Sequence, residues 1–184
     1  MQHKAIVLLT DGFEESEAIV PIDIMRRAGI EVTLLAINAS LEVKGAHGIT
    51  IMADALLKDT DTSDATLLLL PGGPGTKELS QNLPVREVVA HFAKTGRWIA
   101  AICAAPMILS QLGLLHGRRA TCYPGYEIEL KGANLTNADV VVSDKIITAR
   151  GAGVSFRFGF EIISQLKGQD AADDTAKKMM THLS

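Results

Sequence analysis

Residues 5–9 form a continuous aliphatic run of strand length, Ala5-Ile6-Val7-Leu8-Leu9, and this run constrains the fold more than any other stretch. A strand with no polar alternation must be covered on both faces, which is the condition of a parallel strand inside an α/β protein. Residues 31–37, 66–70 and 97–102 read as further strands. Helical stretches separate them, at about 15–28, 84–95 and 104–112. The β-α-β order predicts a mostly parallel, doubly wound sheet with helices on both faces, in which sites form beyond the carboxyl ends of the strands. Two β-branched runs around Ser143-Asp144-Lys145 predict a hairpin near the sheet edge, and residues 41–57 read as a second hairpin excursion. Helices at about 155–166 and 170–181 complete the pattern. No linker divides the 184 residues, so one domain spanning 1–184 is expected.

The fourth strand runs directly into Cys103, then into small residues and Pro106. A strand-to-helix turn lifts the residue at its apex and turns backbone N–H groups toward it, so an easily ionised thiol is expected there. A buried structural cysteine is the competing reading. The first strand ends at Thr10-Asp11-Gly12-Phe13, where Asp11 and Glu14 resemble a capping box for a helix carrying Glu17. Pro21 should distort that helix in the turn holding Glu17, because it cannot donate to the Glu17 carbonyl. The third strand ends in Pro71-Gly72-Gly73-Pro74-Gly75, whose glycines allow close backbone approach. All three strand ends share one edge of a parallel sheet. An acid, a thiol and a glycine-rich loop therefore converge, the minimum set for thiol chemistry on a carbonyl.

Composition limits the alternatives. A formal net charge of -3, with 47% hydrophobic and 21% charged residues, gives no electrostatic case for nucleic acid or an anionic membrane surface. No apolar run is long enough to span a bilayer and no signal region opens the chain, so a cytoplasmic location is expected. Two cysteines, Cys103 and Cys122, provide neither a disulfide framework nor a thiolate set for zinc; no metal and no cofactor is expected.

The motifs Leu70-Pro71-Gly72-Gly73 and Ala101-Ile102-Cys103-Ala104-Ala105-Pro106 resemble the ThiJ/PfpI superfamily. Gly12-Phe13-Glu14-Glu15-Ser16-Glu17, the run Pro21 to Gly29, Gly151-Ala152-Gly153 and Ser155-Phe156 are similar to its DJ-one (parkinsonism-associated deglycase) branch. The resemblance implies a flavodoxin-like fold and a homodimer. It implies Cys103 as the reactive cysteine of a nucleophile elbow, Glu17 as the acid that hydrogen-bonds it, and Gly72, Gly73 and the Ala104 N–H as an oxyanion site. It also implies glyoxalase or deglycase chemistry on methylglyoxal or its early thiol and amine adducts. The alternative is a redox-sensing holdase with misfolded protein clients, regulated by oxidation of Cys103 to a sulfinate.

One position departs from the pattern. Many members carry a histidine where this chain has Tyr123, before Pro124, and its absence argues against amide hydrolysis. The bacterial YajL-type members share the absence, and the chain is placed nearest to them. Tyr123, Cys122 and His47 are candidates for the surroundings of the site: Tyr123 as a volume filler, Cys122 as a resolving thiol or structural cysteine, His47 as a hairpin residue that could fold over it. His3, His91, His116 and His182 are read as terminal, surface or loop residues.

Overall fold

The computed structural model describes residues 3–181, so His182 lies outside the described residues. In chain order the elements are β1 (Lys4–Leu9), α1 (Glu15–Arg27), β2 (Glu31–Ala36), β3 (Glu42–Lys44), β4 (Thr50–Met52), β5 (Ala55–Leu56), β6 (Leu67–Leu70), α2 (Thr76–Gln81) and α3 (Leu83–Lys94). They continue with β7 (Trp98–Ile102), α4 (Pro106–Gln111), β8 (Arg119–Ala120), β9 (Asn134–Leu135), β10 (Val140–Ser143), β11 (Ile146–Ala149), α5 (Ser155–Lys167) and α6 (Gln169–Lys178). Seven strands form one sheet in the order β10-β11-β7-β6-β1-β2-β5. Every pairing in it is parallel except β10 with β11, so this is a doubly wound, mostly parallel α/β sheet.

Strand pleating explains why the aliphatic runs show no alternation. Ala5, Val7 and Leu9 of β1 enter one core layer and Ile6 and Leu8 the other; Leu67 and Leu69 of β6 oppose Leu68 and Leu70 in the same way. Both faces must be apolar because both are covered. The first layer is roofed by α1, α5 and α6, the second by α3 and α4.

Helix α1 runs through Pro21 without a break. Pro21 is buried against α5 at Gly159, where an added Cβ would lie 3.2 Å from the Pro21 Cα and 2.6 Å from the Ile24 Cδ1. The cap differs from expectation. Glu14, not Asp11, caps α1, accepting the Glu17 N–H at 2.8 Å, while Asp11 accepts the Lys44 N–H from the neighbouring hairpin. Strand β8 pairs only with β9 and stays outside the main sheet. Elements α2 and β9, six and two residues long, were not expected, and β5, inside the stretch expected as a hairpin, instead pairs with β2 at the edge of the main sheet.

Candidate active site

Strands β1, β6 and β7 deliver their carboxyl ends side by side. Beyond β7, Cys103 adopts φ 65°, a left-handed conformation uncommon for a residue with a Cβ. Its backbone is held on both sides: the N–H donates to the Ala149 carbonyl at the end of β11, and the carbonyl accepts the Tyr123 N–H, each at 2.9 Å. This fixes the apex of a strand-turn-helix elbow. The Cys103 side chain, 9% exposed, receives backbone hydrogen bonds from Gly73 and Ala104 and pairs with the Glu17 carboxyl.

Glu17 reaches the thiol because of how α1 begins. In a capping box the acid at this third helical position turns back to the N–H of the cap residue. Here the Glu14 N–H already donates to the Gly72 carbonyl at 3.0 Å, which leaves the Glu17 side chain free to face Cys103. The Glu17 carboxyl, 1% exposed, accepts the Gly72 N–H at 2.9 Å and a backbone hydrogen bond from Ala152.

Gly72 therefore serves differently from the oxyanion donor expected of it. Its N–H is committed to Glu17, leaving Gly73 and Ala104 as the donors at the sulfur. Its lack of a side chain matters more, since a Cβ there would lie 2.5 Å from Glu17 Oε2 and 2.6 Å from the Cys103 Cβ. Gly73, at φ +92°, packs so closely on the β1–α1 turn that a Cβ would lie 2.5 Å from the Gly12 carbonyl oxygen. The glycine loop and the acid-bearing turn are thus one packed unit.

Electrostatics correct the expectation of an easily ionised thiol. Burial, the Glu17 charge and the hydrogen bond to Glu17 push Cys103 up to about 12, against the opposing N–H groups of Gly73 and Ala104. Helix α4 offers little help, being six residues long and starting three positions after the cysteine. Burial first, with the Glu14 charge adding to it, pushes Glu17 up to about 7, against the hydrogen bonds from Cys103, Gly72 and Ala152. The pair therefore carries a single negative charge over the range between those two values, and the acid, rather than the thiol, changes protonation near neutrality.

The remaining candidates fall around this pair. Tyr123 is 49% exposed and edges the site: a Cβ on Gly151 would lie 3.1 Å from the Tyr123 Cδ2 and 3.7 Å from Glu17 Oε1. Cys122 is buried in the core layer opposite to that of Cys103, which speaks against a resolving thiol. His47 stays on the exposed β3–β4 hairpin, where Nδ1 meets Glu15 Oε2 at 2.8 Å. That contact raises the His47 pKa. Glu14, Glu15 and His47 bring ligand-type atoms within 4.8 Å of one another. Those atoms are already used: Glu15 accepts the N–H groups of His47 and Ile49, and Glu14 those of Glu17 and the Ser16 hydroxyl. The cluster pins the hairpin to α1. His91 and His116 are exposed, as expected. The Ala152 N–H on Glu17 went unread in the sequence, although its position just past the end of β11, on the same sheet edge, was a usable signal.

A cysteine on a strained elbow, an acid on the first helix and a glycine loop between them define a class of α/β proteins with thiol-centred sites. Residues 3–165 match the model of the DJ-1/PfpI family, and the chain belongs to that family. It is 37% identical over 172 residues to Protein DJ-1 homolog B of Arabidopsis thaliana, covering 92% of this chain and 39% of that protein, so it spans less than half of that relative's length. It is 33% identical to the glutathione-independent glyoxalase DJR-1.2 of Caenorhabditis elegans, covering 97% of this chain and 96% of that one. It is 34% identical to YraA of Bacillus subtilis, provisionally named a cysteine protease, covering 91% and 100% of the two chains. Among solved structures, the DJ-1 superfamily protein STM1931 of Salmonella typhimurium superposes with TM-score 0.94 at 33% identity, over 98% of this chain and 100% of that one.

Proposed function

We propose that the chain converts a small dicarbonyl such as methylglyoxal, free or as its early adducts, to a hydroxy acid without a cofactor. The observation that carries this reading is the pairing of Glu17, pushed up to about 7, with the Cys103 thiol. An acid that titrates near neutrality can accept and return a proton in one catalytic cycle. The Cys103 sulfur attacks the aldehyde carbon as ionised Glu17 takes the thiol proton, and that proton passes to the former carbonyl oxygen, giving a hemithioacetal. Glu17 then moves the proton on that carbon to the adjacent ketone carbon, and the hemithioacetal hydroxyl proton passes to the ketone oxygen. The first carbon is thereby oxidised to a thioester and the second reduced to an alcohol, so no external oxidant is needed. Water cleaves the thioester and restores the thiol. The name of the Caenorhabditis elegans relative supports the substrate class. Against peptide cleavage stands Tyr123, which has no imidazole with which to protonate a leaving amine.

The test is steady-state turnover of methylglyoxal to lactate by the protein and by Cys103→Ser. Turnover that vanishes in the variant supports the reading, and its absence in the unaltered protein overturns it.

A second reading rests on the donors around the sulfur. Below about pH 7 Glu17 is protonated and can join Gly73 and Ala104 in donating to an oxidised sulfur, which favours a sulfinate on Cys103 and a redox-sensing role. Mass spectrometry after peroxide treatment checks it, since two oxygen atoms should add to Cys103 alone. A holdase activity toward misfolded clients belongs to this reading. We also propose a cytoplasmic homodimer of single-domain chains. Exposed Ile19 on α1 and Ile49 and Met52 on the adjoining hairpin supply apolar surface for the contact, and sedimentation equilibrium measures it. Among the described residues no helix is long and apolar enough to cross a membrane.

A further inference from the structure

The two oxygens of the Glu17 carboxylate have different neighbours. Oε2 faces Gly72, whose N–H it accepts at 2.9 Å, and no room is left there: a Cβ on Gly72 would lie 2.5 Å from Oε2 and 3.0 Å from the Cys103 Sγ. Oε1 faces Gly151, where an added Cβ would lie 3.7 Å from that oxygen and 3.1 Å from the Tyr123 Cδ2. Gly151 is buried, and its missing side chain lets the Tyr123 ring lie against its backbone beside the acid.

The ring is placed by its backbone. The Tyr123 N–H donates to the Cys103 carbonyl at 2.9 Å, and the Tyr123 carbonyl accepts the Tyr126 N–H at 3.0 Å. Tyr123 is nevertheless 49% exposed, so a flat apolar surface stands open to solvent next to a reactive pair. In the reaction proposed above, on which this inference rests, the sulfur holds the first carbon of the dicarbonyl and Glu17 delivers a proton to the second. The substituent on that second carbon must therefore pass the acid. With the Gly72 side filled, it leaves on the side of Gly151, along Tyr123.

We infer that Tyr123 is a specificity-determining residue that seats the ketone substituent, so that the site selects α-ketoaldehydes carrying a flat ring, the arylglyoxals, over methylglyoxal. A methyl group is too small to cover the exposed ring of Tyr123, whereas a phenyl group can stack on it and remove apolar surface of both from water. A ring already held by its backbone loses little freedom in that contact.

The test is kcat/KM for phenylglyoxal and for methylglyoxal in the protein and its Tyr123 variants. The ratio of phenylglyoxal to methylglyoxal should fall at least about fivefold in Tyr123→Ala, through the KM for phenylglyoxal, and stay within about twofold in Tyr123→Phe, which keeps the ring. Tyr123→Leu, which keeps apolar cover on Gly151 should the shorter side chain disturb the fold, lowers the ratio at least about twofold. A second readout needs no turnover: alkylation of Cys103, located by peptide mass, with 2-bromoacetophenone and with bromoacetone. Each reagent forms a sulfur–carbon bond and expels bromide while the thiol proton goes to Glu17, and each leaves the sulfur–carbon–ketone skeleton of the dicarbonyl adduct. The ratio of the two rates should fall in Tyr123→Ala at least about fivefold as well. A fall there without turnover of either dicarbonyl sinks the reading of the reaction and keeps Tyr123 as the seat. Ratios unaltered in Tyr123→Ala, as a merely structural role would leave them, or a fall in Tyr123→Phe as large as in Tyr123→Ala, would overturn the inference.

Discussion

Cys103 and Cys122 are both buried, and burial pushes both thiols up, to about 12 and about 11. By ionisation at rest they are nearly the same group. Their surroundings differ. Cys103 sits at φ 65° with a titrating acid and two N–H donors at its sulfur, whereas Cys122 has only the distant charges of Glu127 and Arg150 acting in opposite directions. The contrast teaches that reactivity here is a property of the proton acceptor beside the sulfur rather than of a resting thiolate. A Cys103 that must lose its proton during attack needs Glu17; Cys122 has no such group.

That contrast can be broken most directly by exchange of each sulfur for oxygen. Cys103→Ser should reduce methylglyoxal turnover by about a thousandfold or more, and Cys122→Ser by less than about twofold. Similar losses in both would mean that the partners of the sulfur do not matter. Glu17→Gln comes next, with turnover reduced about a hundredfold. In the same variant the alkylation midpoint of Cys103 should move down, because a neighbouring negative charge is gone, while that of Cys122 stays fixed. A Cys103 midpoint that does not move would deny the pairing.

Stability should carry the same signature. A buried acid whose folded pKa lies near 7, above its ordinary 4.5, stabilises the fold fully below pH 4.5 and loses that contribution as pH rises through 7. The loss amounts to about 3 kcal/mol, measurable by denaturant unfolding across pH 4 to 8 and absent in Glu17→Gln. Gly72→Ala should give the smallest of these effects, about 1–3 kcal/mol, as the new methyl group forces Glu17 and the Cys103 backbone apart. Its turnover should fall with its stability; an active and stable Gly72→Ala would show that the acid and thiol need not be so close.

The sheet was legible because its strands are continuous apolar runs, and the elbow because one cysteine interrupts such a run at its end. Short elements were not: β5 has two residues and α2 is a polar six-residue turn, too brief for any periodicity to register. The convergence of Glu17, Gly72, Gly73 and Cys103 followed from sheet parallelism, and the Ala104 N–H from the family resemblance. Which N–H goes to which acceptor did not, because it depends on the Glu14 N–H being occupied by the Gly72 carbonyl, a contact across 58 positions of chain. Resting ionisation was misjudged for a related reason: local sequence displays the helix after Cys103 but neither the depth of burial nor the sign of the charge facing it.

The seat of Gly159 on Pro21 has a consequence beyond packing. Glu17 rides on α1, while Ala152, which donates to it, stands three positions before α5. The crossing of those two helices therefore acts as a spacer gauge for the acid, setting from a full helical turn away how closely it meets its donor. Gly159→Ala, although it touches neither the thiol nor the acid, would widen that gauge and should detune the pH at which the site switches before it unfolds the chain.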